Sequence, residues 1–178
     1  MPYSTLMREY TVTDDCNNVT MFTQFIELID TVAPVLDITC PEPAALFSDA
    51  DCAFDADTAL TGVPGVDVSD NCSAEIEIGV SYADGPLDTA CAGSYSFTRT
   101  FTVTAEDDCG NESSATCTQE ITVTDDTAPE LTCPADLTVE CDGSGNTDAL
   151  NDWLASASAT DNCGTAEVTN DFTALSDD

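Results

Sequence analysis

The 178-residue chain carries 35 acidic side chains against two basic ones, Arg8 and Arg99, and no histidine, for a formal net charge of −33. That balance excludes nucleic acid as a partner, because a phosphate backbone is bound by giving up its counterions to Lys and Arg, and it disfavours an anionic membrane surface on the same ground. The length suits two small domains, each able to bury a core, and frequent Thr, Val, Ile and Phe beside few Ala-Leu-Glu-Lys stretches point to β structure.

From the N-terminus, residues Met1 to Arg8 lack the positive region, apolar core and cleavage site of a signal peptide. No stretch is apolar enough to span a bilayer. The chain therefore reads as a mature product, or an excerpt from something longer whose export signal lies elsewhere. Alternating residues between Gly, Pro, Asn and Asp clusters predict strands over Val35 to Cys40, Val66 to Val68, Glu75 to Tyr82, Ser94 to Thr104 and Ala115 to Thr124. In the fourth strand Tyr95, Phe97, Arg99, Phe101 and Val103 share one face at period 2, and that face is expected to be the buried one. Arg99 is the anomaly on it, expected near the rim or paired with a carboxylate. One short helix is expected, over Asp148 to Leu154, with the only tryptophan, Trp153, packing into a core.

Internal similarity is the strongest signal. Thr11-Val12-Thr13 and Asp14-Asp15-Cys16-Asn17-Asn18 return as Thr102-Val103-Thr104 and Asp107-Asp108-Cys109-Gly110-Asn111, with a cysteine offset of 109 − 16 = 93. Ala33-Pro34 and Ile38-Thr39-Cys40-Pro41 return as Ala128-Pro129 and Leu131-Thr132-Cys133-Pro134, at 133 − 40 = 93. Ser69-Asp70-Asn71-Cys72 returns as Thr160-Asp161-Asn162-Cys163, at 163 − 72 = 91. With junctions at Ile29-Asp30-Thr31 and Thr124-Asp125-Asp126-Thr127, residues 30–124 form one complete repeat. Residues 1–29 are then the C-terminal part of a preceding repeat and 125–178 the N-terminal part of a following one.

The set Ala-Pro, Thr-Cys-Pro, Asp-Asn-Cys, Asp-Asp-Cys-Gly-Asn and Cys-Thr-Gln-Glu-Ile-Thr-Val resembles the hyalin repeat family of immunoglobulin-like modules, found in arrays in extracellular adhesive proteins. The resemblance covers residues 10–178. It implies an all-β fold of tandem immunoglobulin-like β-sandwich repeats of about seven strands each, serving adhesion or extracellular structure, with no shared catalytic residues. The chain has more cysteines than the simplest members of that family.

Ten cysteines without a CxxC pair or a histidine do not suit zinc. Disulfides are expected instead, and with them a secreted or cell-surface setting. The family resemblance implies a bond between Cys40 and Cys117, closing most of the complete repeat and contributing roughly 4 kcal/mol on a chain-entropy estimate. Repeat position and nearness in sequence suggest Cys52 with Cys72, Cys91 with Cys109 and Cys141 with Cys163. Cys16 and Cys133 remain, either cut off from partners in a longer array or joined between molecules. In the second case the half repeat at one end of a molecule is completed by the half repeat of the next, head to tail, into an open fibre.

Aspartates gather at the junctions and beside the landmark cysteines: Asp14, Asp15, Asp30, Asp70, Asp107, Asp108, Asp125, Asp126 and Asp161. Loops of an immunoglobulin-like sandwich cluster at its two ends. Carboxylates there would converge on a calcium ion, which takes six to eight oxygen ligands, and a charge of this size calls for bound cations or a salt-rich, for example marine, setting. Asp and Asn also favour turns for their own sake. No linear EF-hand is evident, so such a site would be assembled from separate loops. Sequons at Asn18, Asn71 and Asn111 fall in expected loops and mark candidate glycan sites. Catalysis has no histidine base, Gly-x-Ser-x-Gly elbow or phosphate loop to rest on, so an enzyme is not expected. The reading is a structural segment of an extracellular filament or stalk; a calcium-dependent adhesin or carbohydrate-binding module is the alternative.

Overall fold

The computed structural model describes residues 4–140, 143 and 145–173. Cys141 lies outside them, so its expected bond with Cys163 rests on an undescribed residue. Among the described residues the chain forms eleven strands and two short helices. It divides into two compact units interleaved in sequence. One comprises Met1–Ala44, Asp57–Pro86 and Phe97–Ile121; the other comprises Ala45–Ala56, Leu87–Ser96 and Thr122–Asp178.

The chain opens with an antiparallel hairpin, β1 (Ser4–Thr13) and β2 (Val19–Leu28), paired without a break from Ser4↔Leu28 to Thr13↔Val19. Every residue of both strands is exposed. β3 (Val35–Thr39) pairs with β5 (Gly65–Ser69) in a separate two-stranded sheet, Asp37 opposite Asp67 and Ile38 opposite Val66. Between them lie β4 (Ala44–Phe47) and the single turn α1 (Thr58–Thr61). The five-stranded sheet runs β4-β9-β8-β6, with β6 at Ile76–Asp84, β8 at Ser94–Asp107 and β9 at Glu112–Thr124; β7 (Asp88–Cys91) also pairs with β8. β10 (Glu130–Thr132) pairs with β11 (Ser158–Thr160), and α2 (Thr147–Leu154) lies between them in sequence.

All five expected strands and the expected helix are present, most of them longer at one end or both. β4, β7 and α1 were not legible, because elements of four residues are too short to display a period. The expected buried face of β8 holds: Phe97, Phe101 and Val103 are at most 5% exposed, and Tyr95 is half-buried. Ala105 extends that face, and Ile121 on β9 is fully buried.

Arg99 is not near a rim. It is 2% exposed, and of the two expected alternatives the carboxylate pairing is the one realised. Its Nε and Nη2 donate to the two oxygens of Asp84 at 2.6 and 2.9 Å, Nη1 donates to Thr61 Oγ1 at 2.9 Å, and the guanidinium lies 4.3 Å from the centre of the Tyr82 ring. A planar fork of donors suits this bidentate, stacked arrangement where lysine would not. Gln119, also buried, donates to Glu42 O and Thr61 O at 2.7 and 2.6 Å. Thr61 closes α1, whose N-cap Asp57 accepts from Ala59 N–H. One helical turn is thereby anchored by the two largest buried polar side chains of its unit.

Trp153 is half-buried rather than a core residue, and donates from Nε1 to Ala135 O at 2.7 Å. Leu150 is the buried residue of α2.

Candidate metal centre

Three of the nine candidate aspartates converge. Asp30, just past β2, Asp70, just past β5, and Asp107, the last residue of β8, each offer a carboxylate oxygen, and these oxygens lie within 4.8 Å of one another. Each carboxylate is held by its own turn. Asp70 Oδ1 accepts from the backbone N–H groups of Cys72 and Ser73 at 2.9 and 2.7 Å. Asp107 Oδ1 accepts from Cys109 N and Asn111 N, both at 2.8 Å, and its Oδ2 from Asn111 Nδ2 at 2.8 Å. Asp30 Oδ1 accepts from Val32 N at 3.1 Å and from Asn71 Nδ2 at 3.5 Å, and Asn111 Nδ2 also reaches Asp30 O at 3.3 Å. Such Asx turns are what short acidic side chains do at strand ends. Here three of them place their carboxylates together.

The electrostatics are one-sided. Asp30 is 7% exposed and Asp107 5%. Among the described residues no donor reaches Asp30 Oδ2 or Asp70 Oδ2, although both atoms are buried. Buried acceptors without partners are costly and rare in native folds. Hydrogen bonds from Ser73 and Cys72 hold the Asp70 carboxyl below its ordinary value, against a smaller upward push from burial and from Asp107. For Asp107, burial pushes upward, but the hydrogen bonds from Asn111, Cys109 and Gly110 together outweigh it and leave the carboxyl lowered. Two of the three groups thus favour the anion beside a third carboxylate.

The donor set is all oxygen. The nearby Cys109 thiol is pushed up by burial and then by the charges of Asp107 and Asp30, so it stays protonated and is a poor soft ligand. Carboxylates with no histidine and no thiolate suit a hard divalent cation of the calcium type. Three carboxylates leave the remaining positions of such an ion to carbonyls and water.

The other six candidates are not in this cluster. Asp14 shapes the β1–β2 turn, its Oδ1 accepting from Cys16 N and Asn18 N at 2.9 and 2.8 Å and its Oδ2 from Asn18 Nδ2 at 2.7 Å. That bonding matches the Asp107 turn bond for bond, and the residue preceding the final Asn has positive φ in both, Asn17 at 64° and Gly110 at 84°. Asp125 Oδ1 accepts from Thr127 N at 3.1 Å, as Asp30 does from Val32. Asp161 Oδ1 accepts from Cys163 N at 2.9 Å, as Asp70 does from Cys72. Asp15, Asp108 and Asp126 flank these positions and join no group of three acidic or thiol ligands among the described residues.

The cysteine expectations need correction. Cys52 is bonded to Cys163, 111 residues away, and not to Cys72; this pairing also takes Cys163 from Cys141. Nearness in sequence was the wrong guide. The tight Asp49 turn, with Asp49 Oδ1 accepting from Asp51 N and Ala53 N, sets Cys52 at φ 60° with its Cα 4.9 Å from that of Cys163. Ser48 Oγ lies 3.5 Å from Cys163 Sγ, and Asn162 Nδ2 donates to Asp49 O at 3.0 Å. Cys91 and Cys109 are free thiols, as are Cys16 and Cys133. Cys40 and Cys117 are free but adjacent: burial, and then the hydrogen bond with Cys40, push the Cys117 thiol up to about 11.

The sequon amides are already at work. Asn71 and Asn111 each use Nδ2 twice, toward Asp30 and Cys72 Sγ and toward Asp107 and Asp30 O, whereas Asn18 uses its own once, toward Asp14. A glycan replaces one N–H of Nδ2, so Asn18 is the sequon able to carry one without losing a bond.

No helix among the described residues is long and apolar enough to cross a membrane. Comparison with family models, characterised proteins and solved structures finds no match to this chain.

Proposed function

We propose that this chain is a non-enzymatic structural segment of an extracellular filament or stalk, built from stacked hyalin-like, immunoglobulin-like repeats and stiffened by calcium held at Asp30, Asp70 and Asp107. The observation that carries the reading is a cluster of three carboxylates, each with an oxygen within 4.8 Å of the others, in which the buried Oδ2 atoms of Asp30 and Asp70 have no donor among the described residues. A divalent cation there cancels the repulsion and ties the segment after β2 to the ends of β5 and β8. A chain of net charge −33 gains most from cations placed where its carboxylates are closest.

Repetition of local geometry supports the stacked array. The β10–β11 pairs Glu130↔Thr160, Leu131↔Ala159 and Thr132↔Ser158 fall on the β3–β5 pairs Asp37↔Asp67, Ile38↔Val66 and Thr39↔Gly65 at a constant offset, since 130 − 37 and 160 − 67 are both 93. Together with the matched Asp turns, this favours one module used more than once. The Cys52–Cys163 disulfide supports an oxidising location, since such bonds persist outside the cytosol. Electron microscopy of the native material in calcium tests the reading. Filaments with an axial period of roughly 30–45 Å per module, from strand rise, are expected; short isolated particles would overturn the filament.

A further inference from the structure

The Cys52–Cys163 disulfide joins two Asp turns. In the first, Asp49 Oδ1 accepts from Asp51 N and Ala53 N, Asp49 N donates to Ala53 O, and Cys52 N donates to Asp49 O, with Cys52 at φ 60°. In the second, Asp161 Oδ1 accepts from Cys163 N at 2.9 Å, and Asn162 Nδ2 donates to Cys163 Sγ at 3.2 Å.

The Asp30–Asp70–Asp107 centre contains the same two turns. Asp107 Oδ1 accepts from Cys109 N and Asn111 N, Asp107 N donates to Asn111 O, and Gly110 N donates to Asp107 O, with Gly110 at φ 84°. Asp70 Oδ1 accepts from Cys72 N at 2.9 Å, and Asn71 Nδ2 donates to Cys72 Sγ at 3.1 Å. Each turn again carries a cysteine, Cys109 standing third in its turn where Cys52 stands fourth. Both Cys72 and Cys109 are half-buried thiols in this structure. Their surroundings bring them together. The Asp30 backbone hydrogen-bonds Cys109, and the Asn71 Nδ2 that holds Cys72 Sγ also reaches Asp30 Oδ1 at 3.5 Å, so both sulfurs gather about one residue. The β6–β8 register ends at Ile76↔Asp107. One step further, Glu75 and Asp108 still line one hollow. Another step sets residue 74 opposite Cys109, since 76 + 107 − 109 = 74, two residues from Cys72.

We infer that Cys72 and Cys109 close into a second disulfide across the Asp70 and Asp107 turns, and that this bond sets the calcium affinity of the centre. The effect on affinity rests on the reading of Asp30, Asp70 and Asp107 as a cation site. A small disulfide such as oxidised glutathione is the oxidant: its S–S bond breaks, the Cys72–Cys109 bond forms, and two small thiols leave with the two protons. Without the bond, three carboxylates repel one another and an arriving cation must gather the turns that carry them. With it, the Asp70 and Asp107 turns are already held together, and less ordering accompanies binding. The bond lies beside the ligands and coordinates nothing itself; its part is to position the carboxylates.

The test treats the full chain with oxidised glutathione, maps its non-reduced peptides, and titrates it with calcium by calorimetry. Cys72→Ser and Cys109→Ser are treated alike; each keeps the other disulfide and the backbone N–H that its turn's aspartate accepts from. Wild type is expected to yield a Cys72–Cys109 peptide and to bind calcium about tenfold more tightly than either variant, the low end of what a group supporting metal ligands contributes. The peptide map needs no variant to fold. Wild type in which both thiols still alkylate, or in which either is joined to a different cysteine, overturns the inference. So does a crosslinked wild type that binds calcium no more tightly than the variants, and in that case the cation site itself stands. If no form binds calcium, the reading of Asp30, Asp70 and Asp107 fails and the effect on affinity falls with it, while the peptide map decides the crosslink separately.

Discussion

Substituting Asp70 by Asn separates the two jobs of that side chain. Its Oδ1 shapes a turn through Cys72 and Ser73, while its Oδ2 has no hydrogen-bond partner among the described residues. Asparagine keeps an acceptor for the turn and removes the charge. Oxygens within 4.8 Å sit well inside the ~8 Å screening length of physiological salt, so added sodium chloride does little for the three mutual repulsions. Asp70→Asn removes two of them and leaves only Asp30 against Asp107. The calcium-free variant should therefore melt a few degrees above calcium-free wild type. In calcium the order should reverse. Free calcium at one hundred times Kd stabilises wild type by about 2.7 kcal/mol, roughly 5–10 °C at the 2–4 °C per kcal/mol typical of a chain this long. If loss of one ligand weakens binding by at least the 10–100-fold typical of an outer-shell partner, the increment drops to about 0.4–1.4 kcal/mol, or roughly 1–5 °C. Circular dichroism melts of both proteins in calcium and in chelator read all four values. Equal calcium increments in the two proteins, or a calcium-free variant less stable than wild type, would refute the site.

Two further outcomes follow from packing and from the crosslink. Asp84→Asn leaves the Arg99 guanidinium, 2% exposed, without its counter-charge. Breaking a buried pair from one side costs about 3–5 kcal/mol, discounted here to about 2–3 because Asp84 itself is 38% exposed; urea unfolding that shows a loss under 1 kcal/mol would refute the account of Arg99. Peptide mapping of non-reduced protein should recover Cys52 linked to Cys163, and Cys52→Ser should free the Cys163 thiol for alkylation; recovery of a Cys52–Cys72 peptide would overturn the assignment.

What could be read from the sequence was whatever is local or periodic. The alternation of Phe97, Phe101 and Val103 announced β8 and its buried face, and the repeated Asp-Asp-Cys and Asp-Asn-Cys landmarks mark turns in which the Asp carboxylate accepts from the N–H of the landmark cysteine each time. Pairing at long range was not readable, and the cysteines show why. A disulfide is set by where two Cα atoms meet, and Cys52 meets a residue 111 positions away while its neighbour in sequence, Cys72, remains a thiol. Arg99 was half readable: its face predicted burial and its charge predicted a partner, but only the fold supplies Asp84, Thr61 and the Tyr82 ring on three sides.

The aspartates pose the same problem in a sharper form. All nine candidates carry the same local signal, because an Asp that caps a strand end and an Asp that awaits a cation are chemically alike at the level of the turn. Asp14 and Asp107 prove the point, accepting the same three hydrogen bonds from their own loops. What separates them is company. Asp107 is buried beside Asp30 and Asp70, whose Oδ2 atoms have no donor among the described residues, whereas Asp14 stands exposed in the turn of the β1–β2 hairpin and joins no such group there. Turn chemistry therefore nominates the ligand, and tertiary contact decides whether a site forms.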